Sequence, residues 1–146
     1  MTELSLGTTL KSLKGDFPHS RVIGIDRYTA TTLSGTQQWL SYTLESAQPT
    51  RDSAFERFWV VDVPKLGLHF FTAVQASDFP DTEALKLLPF MSGIVGLSSE
   101  GDSALSTDSG ILVVYQDPET GTLYSRENFD GAPELRFEGR AFKFSS

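Results

Sequence analysis

The chain has 146 residues, 39% of them hydrophobic, 12% aromatic and 21% charged, which suits one globular core rather than two. Nineteen acids against twelve bases leave a net charge of -7, which argues against general binding to a phosphate backbone. The absence of cysteine excludes disulfide staples, thiolate nucleophiles and cysteine-ligated zinc or iron–sulfur clusters.

The first residues carry an early acid, Glu3, with neither a basic leader nor an apolar stretch of signal length, so a cytoplasmic protein is expected. Leu6, Leu10 and Leu13, spaced by four and three, predict a turn of helix over 8–13. A strand follows over 21–28, with Val22, Ile23 and Ile25 as its apolar content, and Ser34-Gly35 marks a turn. Over 37–45 the alternation places Leu40, Tyr42 and Leu44 on one face and Ser41, Thr43 and Glu45 on the other, with Trp39 interrupting the polar face. Residues 58–61 and 111–115 are apolar on both faces and predict central strands covered on both sides; neither run approaches the roughly 20 residues of a membrane-spanning helix. Residues 66–74 predict a strand with Leu68, Phe70 and Val74 on one face and His69 and Phe71 opposite.

A short helix is expected near 81–88, capped by Asp81 or Thr82 and ended by Pro89. The glycines between 93 and 101 read as strand and turn glycines, because no Gly-Lys-Ser/Thr accompanies them as a phosphate cradle requires. Pro118 and Gly121 predict a hairpin turn over 117–122, and Asp130-Gly131 predicts another. Leu135 and Phe137 share a face whereas Phe142 and Phe144 have the opposite parity, so a bulge or tight turn is expected at Glu138-Gly139. Together these elements predict a mainly β, antiparallel barrel or pair of packed sheets in one domain over 1–146. An echo, Ile23-Gly24-Ile25 ahead of Tyr42 and Val95-Gly96-Leu97 ahead of Tyr115, suggests two related β-units, 6–75 and 92–145.

The succession Leu6-Gly7-Thr8, Val22-Ile23-Gly24, Trp39-Leu40-Ser41-Tyr42-Thr43-Leu44 and Phe58-Trp59-Val60 resembles a bacterial family of small β-rich domains of unknown function. The resemblance covers 6–73, about half the chain, and Ser41 stands where the family pattern usually has an acid. It implies a β-rich domain, a bacterial source and an accessory role, and it carries over no catalytic residue.

Chemistry-bearing patterns are sparse. His19 and His69 are the two histidines, without the spacing of a zinc site. No serine sits in Gly-x-Ser-x-Gly, and Glu56 and Asp62 would lie roughly 20 Å apart on a strand, too far for a glycosidase pair. The acids around 100–119 lack a full calcium loop. No catalytic residue, cofactor or metal is therefore expected.

Two features remain. Residues 76–134 hold eleven of the nineteen acids and two of the twelve bases, which predicts an acidic face. The leading expectation is a non-enzymatic interaction module that meets a basic protein partner through Asp102, Asp108, Asp117 and Glu119. The alternative is a β-barrel enclosing a small apolar or amphipathic ligand, with Trp39, Tyr42, Trp59 and His69 as the pocket residues. An enzyme of unknown class ranks third.

Overall fold

A computed structural model describes residues 4–12, 19–46, 57–101, 109–129, 133–141 and 144–145. Eleven strands occur among them: β1 (Thr9–Ser12), β2 (Ser20–Thr32), β3 (Gly35–Ser46), β4 (Arg57–Val63), β5 (Gly67–Ala73), β6 (Lys86–Leu87), β7 (Gly93–Gly101), β8 (Ser109–Gln116), β9 (Leu123–Phe129), β10 (Leu135–Ala141) and β11 (Phe144–Ser145). Eight close on themselves in the order β2-β3-β4-β5-β10-β9-β8-β7 and back to β2, every pairing antiparallel. The result is a barrel built of two four-stranded meanders, β2–β5 and β7–β10, joined along β2·β7 and β5·β10. Closure removes the unpaired edges that an open sheet of this size would present.

Alternation decides which residues enter the barrel. The pairs Tyr28↔Trp39, Trp59↔Phe71 and Leu112↔Glu127 put those side chains on the inner face. Tyr28, Trp39, Phe71 and Leu112 join Val61, Val63, Val95, Val114, Leu123, Phe129 and Phe137 in one buried cluster, against which Trp59 packs. Residues of the other parity, Val22, Ile25, Tyr42, Leu44, Phe58 and Val60, form a second cluster outside the first meander, with Leu4 and Leu10 packed over it. Segment 4–12 is held there by the Gly7 N–H on the Val22 carbonyl and the Val22 N–H on the Thr8 carbonyl, each 2.8 Å. Its leucine spacing does not produce the helical turn expected over 8–13, because Thr9 and Leu10 pair with β2 and extend it as β1.

Several expectations are sharpened. Strand β4 is covered on both faces as its apolar run predicts, but β8 is not: Leu112 and Val114 point inward, while Ile111 remains 54% exposed outside. The break in register lies in β2, between Val22 and Gly24, and not at Glu138-Gly139, where pairing with β5 and β9 runs without a shift. Gly139 faces inward against the Phe71 ring. The 117–122 turn closes through the Gly121 N–H on the Asp117 carbonyl at 2.8 Å, with Gly121 at φ +79°. The Asp130-Gly131 turn lies outside the described residues.

The 74–92 connection crosses from β5 to the far side of the barrel. A first 3₁₀ turn, Ala76–Asp78, precedes Phe79, which packs edge-on against Tyr124 outside β9 at 5.9 Å. The helix expected near 81–88 is a single 3₁₀ turn, Thr82–Ala84, whose Asp81 side chain caps it by accepting from the Glu83 N–H. It is shorter than expected because Lys86 and Leu87 pair with Gln116 and Tyr115. Leu88 and Met91 then turn inward to cover one barrel end, tied to β8 by the Leu88 N–H on the Val114 carbonyl (2.8 Å) and the Val114 N–H on Ser92 Oγ (3.0 Å). The echoed motifs occupy corresponding strands of the two meanders, but in different registers: Tyr42 pairs Ile25, whereas Tyr115 pairs Leu87 and Tyr124.

Candidate functional site

The barrel interior retains a cavity of about 40 Å³. Strands β2, β3 and β4 supply Tyr28, Trp39, Ser41, Trp59 and Val61 to its wall. Phe71 of β5, Leu112 and Val114 of β8, Ser125 and Glu127 of β9, Phe137 of β10 and the plugging Met91 complete it. The aromatic walls are organised: Tyr28 and Trp39 stack at 5.3 Å and 12°, and Trp59 meets Phe137 edge-to-face at 5.1 Å. Close packing of eight strands would ordinarily fill so narrow a lumen with side chains. Here Ser41 and Ser125 contribute small side chains to the lining.

Into this apolar wall β9 projects a carboxylate. Glu127 is 8% exposed, and its Oε1 accepts the Tyr28 hydroxyl at 3.0 Å. Its Oε2 is buried without a hydrogen-bond partner. Burial, and secondarily the nearby charge of Asp26, push the Glu127 carboxyl up to about 7, against the favourable bond from Tyr28. Burial likewise pushes the Tyr28 phenol well above its usual range, with Glu127 and Asp26 adding to the shift. Asp26, fully buried beside Ser41 in the β2–β3 pairing, accepts the Ser99 hydroxyl at 2.5 Å.

Of the four expected pocket residues, Trp39 and Trp59 line the cavity. His69 lies on the inner face of β5, 4% exposed, but outside the cavity wall; its Nδ1 is 3.0 Å from the Gly67 carbonyl, and burial lowers its pKa. Tyr42 points the other way, into the outer cluster, where its hydroxyl accepts the Leu4 N–H at 3.1 Å. One-residue parity separates it from Trp39 and Ser41.

Tyr28 and Glu127 were not among the expected residues. The signal for Glu127 lies in Leu123, Ser125, Glu127 and Phe129, a single parity in which a carboxylate shares a face with two large apolar side chains. Tyr28 follows Asp26 in the same phase of β2, a mixture that periodicity by hydrophobicity does not select.

Asp102 and Asp108 lie outside the described residues. Asp117 Oδ1 accepts the Glu119 N–H at 2.9 Å, so its carboxylate braces the β8–β9 turn, and Glu119 is exposed beside it. Among the described residues no group of three or more His, Cys, Asp or Glu side chains is placed to hold a metal ion, and no helix is long and apolar enough to cross a membrane.

Comparison with protein-family models, with curated proteins and with solved structures finds no match.

Proposed function

We propose that this protein is a non-enzymatic small-ligand-binding β-barrel whose ligand occupies the lumen between Trp39, Trp59 and Glu127. The observation that carries this reading is the cavity: an aromatic-walled space with one buried, unpartnered carboxylate oxygen and small polar groups at Ser41 and Ser125. Ligand sites of this kind combine apolar walls with a few convergent polar groups that fix orientation. The interaction-module reading is the weaker one, because of its described contact residues Asp117 is engaged in bracing its own turn and Glu119 is exposed beside it.

Both tryptophans of the chain line the cavity, so intrinsic emission reports its occupation. Native mass spectrometry of the purified protein, set against a denatured spectrum, is expected to reveal an extra non-covalent mass or a bare chain that small amphipathic probes shift in Trp emission. A bare chain whose emission stays silent across such probes discards the reading.

A further inference from the structure

Resting on that binding reading, we infer that the lumen ligand is a small primary ammonium, its N–H groups donating to Glu127 Oε2 and its carbon atoms lying against Trp39 and Trp59. Three observations converge on this class. Glu127 lines the cavity, its Oε1 is engaged by the Tyr28 hydroxyl, and its Oε2 is buried without a hydrogen-bond partner. A buried carboxylate oxygen without a donor is costly, and a cation that donates to it supplies both the missing bond and the missing charge. Ser41 of β3 and Ser125 of β9 add two hydroxyl-bearing side chains to the cavity lining, matching in number the remaining N–H donors of an ammonium. A planar guanidinium fits less well, since its paired donors call for both oxygens of a carboxylate and one is taken. The aromatic side chains of the lining favour a cation over a neutral isostere.

The space sets the size. At about 40 Å³ the cavity holds roughly three positions of water size, at ~10–15 Å³ each. Ethylammonium, with its three heavy atoms, is a probe of that size.

The charged surroundings of Glu127 make the pH dependence readable. Asp26 and Tyr28 face the lumen from β2 and His69 from β5, while its pairing partners on β8 and β10 are Leu112 and Leu135. The lumen-facing parity of β3, β4 and β7 carries Glu45 and Arg57 only at the strand ends. An ammonium ligand requires the Glu127 carboxylate, so its binding weakens as that group is protonated, whereas a neutral acceptor held by the protonated acid would bind better in acid.

The test titrates the full-length protein with ethylammonium chloride and, separately, with ethanol, read by Trp emission. At pH 8 ethylammonium is expected to bind saturably and at least tenfold more tightly than ethanol. E127Q is expected to lose at least tenfold of the ethylammonium affinity and to keep that for ethanol. In the unmodified protein, lowering the pH from 8 to 5 is expected to weaken ethylammonium binding by roughly tenfold per pH unit below the Glu127 titration. Should E127Q not fold, this profile decides alone, and a flat profile overturns the inference. Equal binding of ethanol, or undiminished binding of ethylammonium by folded E127Q, overturns the ammonium class and leaves the lumen as a binding site. Silence with both probes overturns the inference, and silence across larger amphipathic probes as well discards the binding reading with it.

Discussion

Glu127 concentrates the cost of burying a carboxyl group in one side chain. Its carboxyl is raised from 4.5 to about 7, so between those values the folded state holds a proton that the unfolded chain has released. Stability from this group is therefore fully present below pH 4.5 and is lost as the pH rises through 7, by roughly 3 kcal/mol in all. His69 acts in the opposite sense: burial lowers its pKa, so the unfolded chain takes up a proton first and stability falls as the pH drops below 6.5. Substituting Glu127→Gln isolates the first effect. Urea unfolding of the two proteins should show the variant's advantage growing by roughly 2 to 3 kcal/mol between pH 5 and pH 8. An advantage that does not change with pH would mean that Glu127 is ionised in the folded protein throughout.

Strand β10 and the 74–92 crossing each shape the cavity by what they place inside. On β10 the inward position next after Phe137 is Gly139, where an added Cβ would lie 2.5 Å from the Phe71 ring. Gly139→Val should cost about 1–3 kcal/mol through overpacking, measured as a lower urea midpoint, because Phe71 is 5% exposed and hemmed in. Unchanged stability would show that the ring can withdraw into the lumen. The crossing segment contributes Met91, a flexible thioether that both plugs the barrel end and lines the cavity. Met91→Ala should cost about 2–5 kcal/mol and admit bulkier hydrophobic probes, detected by Trp emission. Leu33→Ser, at a hairpin position 86% exposed, is the matching control and should stay within about 0.5 kcal/mol of the parent. On the outside, Arg126 ties the same crossing to β9, its guanidinium lying 6.0 Å from the Phe79 ring centroid and donating to the Tyr115 hydroxyl at 3.2 Å.

Closure of the barrel has a consequence for dynamics. Residues 29–31 of β2 are bonded on one side by β3 and on the other by 94–96 of β7, which β8 in turn covers. With no free edge at this seam, amides of 94–96 and 111–114 should resist hydrogen exchange as well as those of 39–43, read by peptide mass spectrometry. Fast exchange confined to β7 would indicate that the two meanders part there, opening the lumen along its length. The seam also brings Ser99 to Asp26, so the joint between the meanders is bonded through side chains as well as backbone.

Much of this architecture is legible from local chemistry. Alternation in 37–45 and 66–74, the Pro118 and Gly121 turn and the Asp81 cap each depend on neighbours a few residues away, so the strand content, the hairpins and the mainly β class, as a barrel or as packed sheets, follow from them. Trp39 is legible for the same reason, as an aromatic breaking its own strand's polar face. What local pattern does not carry is parity across the barrel and cover from distant segments. Tyr42 and Trp39 look alike as aromatics on one strand, yet three residues of spacing put one in the lumen and the other under Leu4. The leucines of 6–13 satisfy a helical spacing, but an edge of β2 left bare by β7 draws Thr9 and Leu10 into a strand. The pairing of Tyr28 with Glu127 joins residues 99 positions apart, and their significance arises only when closure removes both from water. Local hydrophobic periodicity thus set the elements and their sheet-forming character, while long-range pairing set the lumen, because burial of a polar group is a property of what surrounds it and not of its own segment.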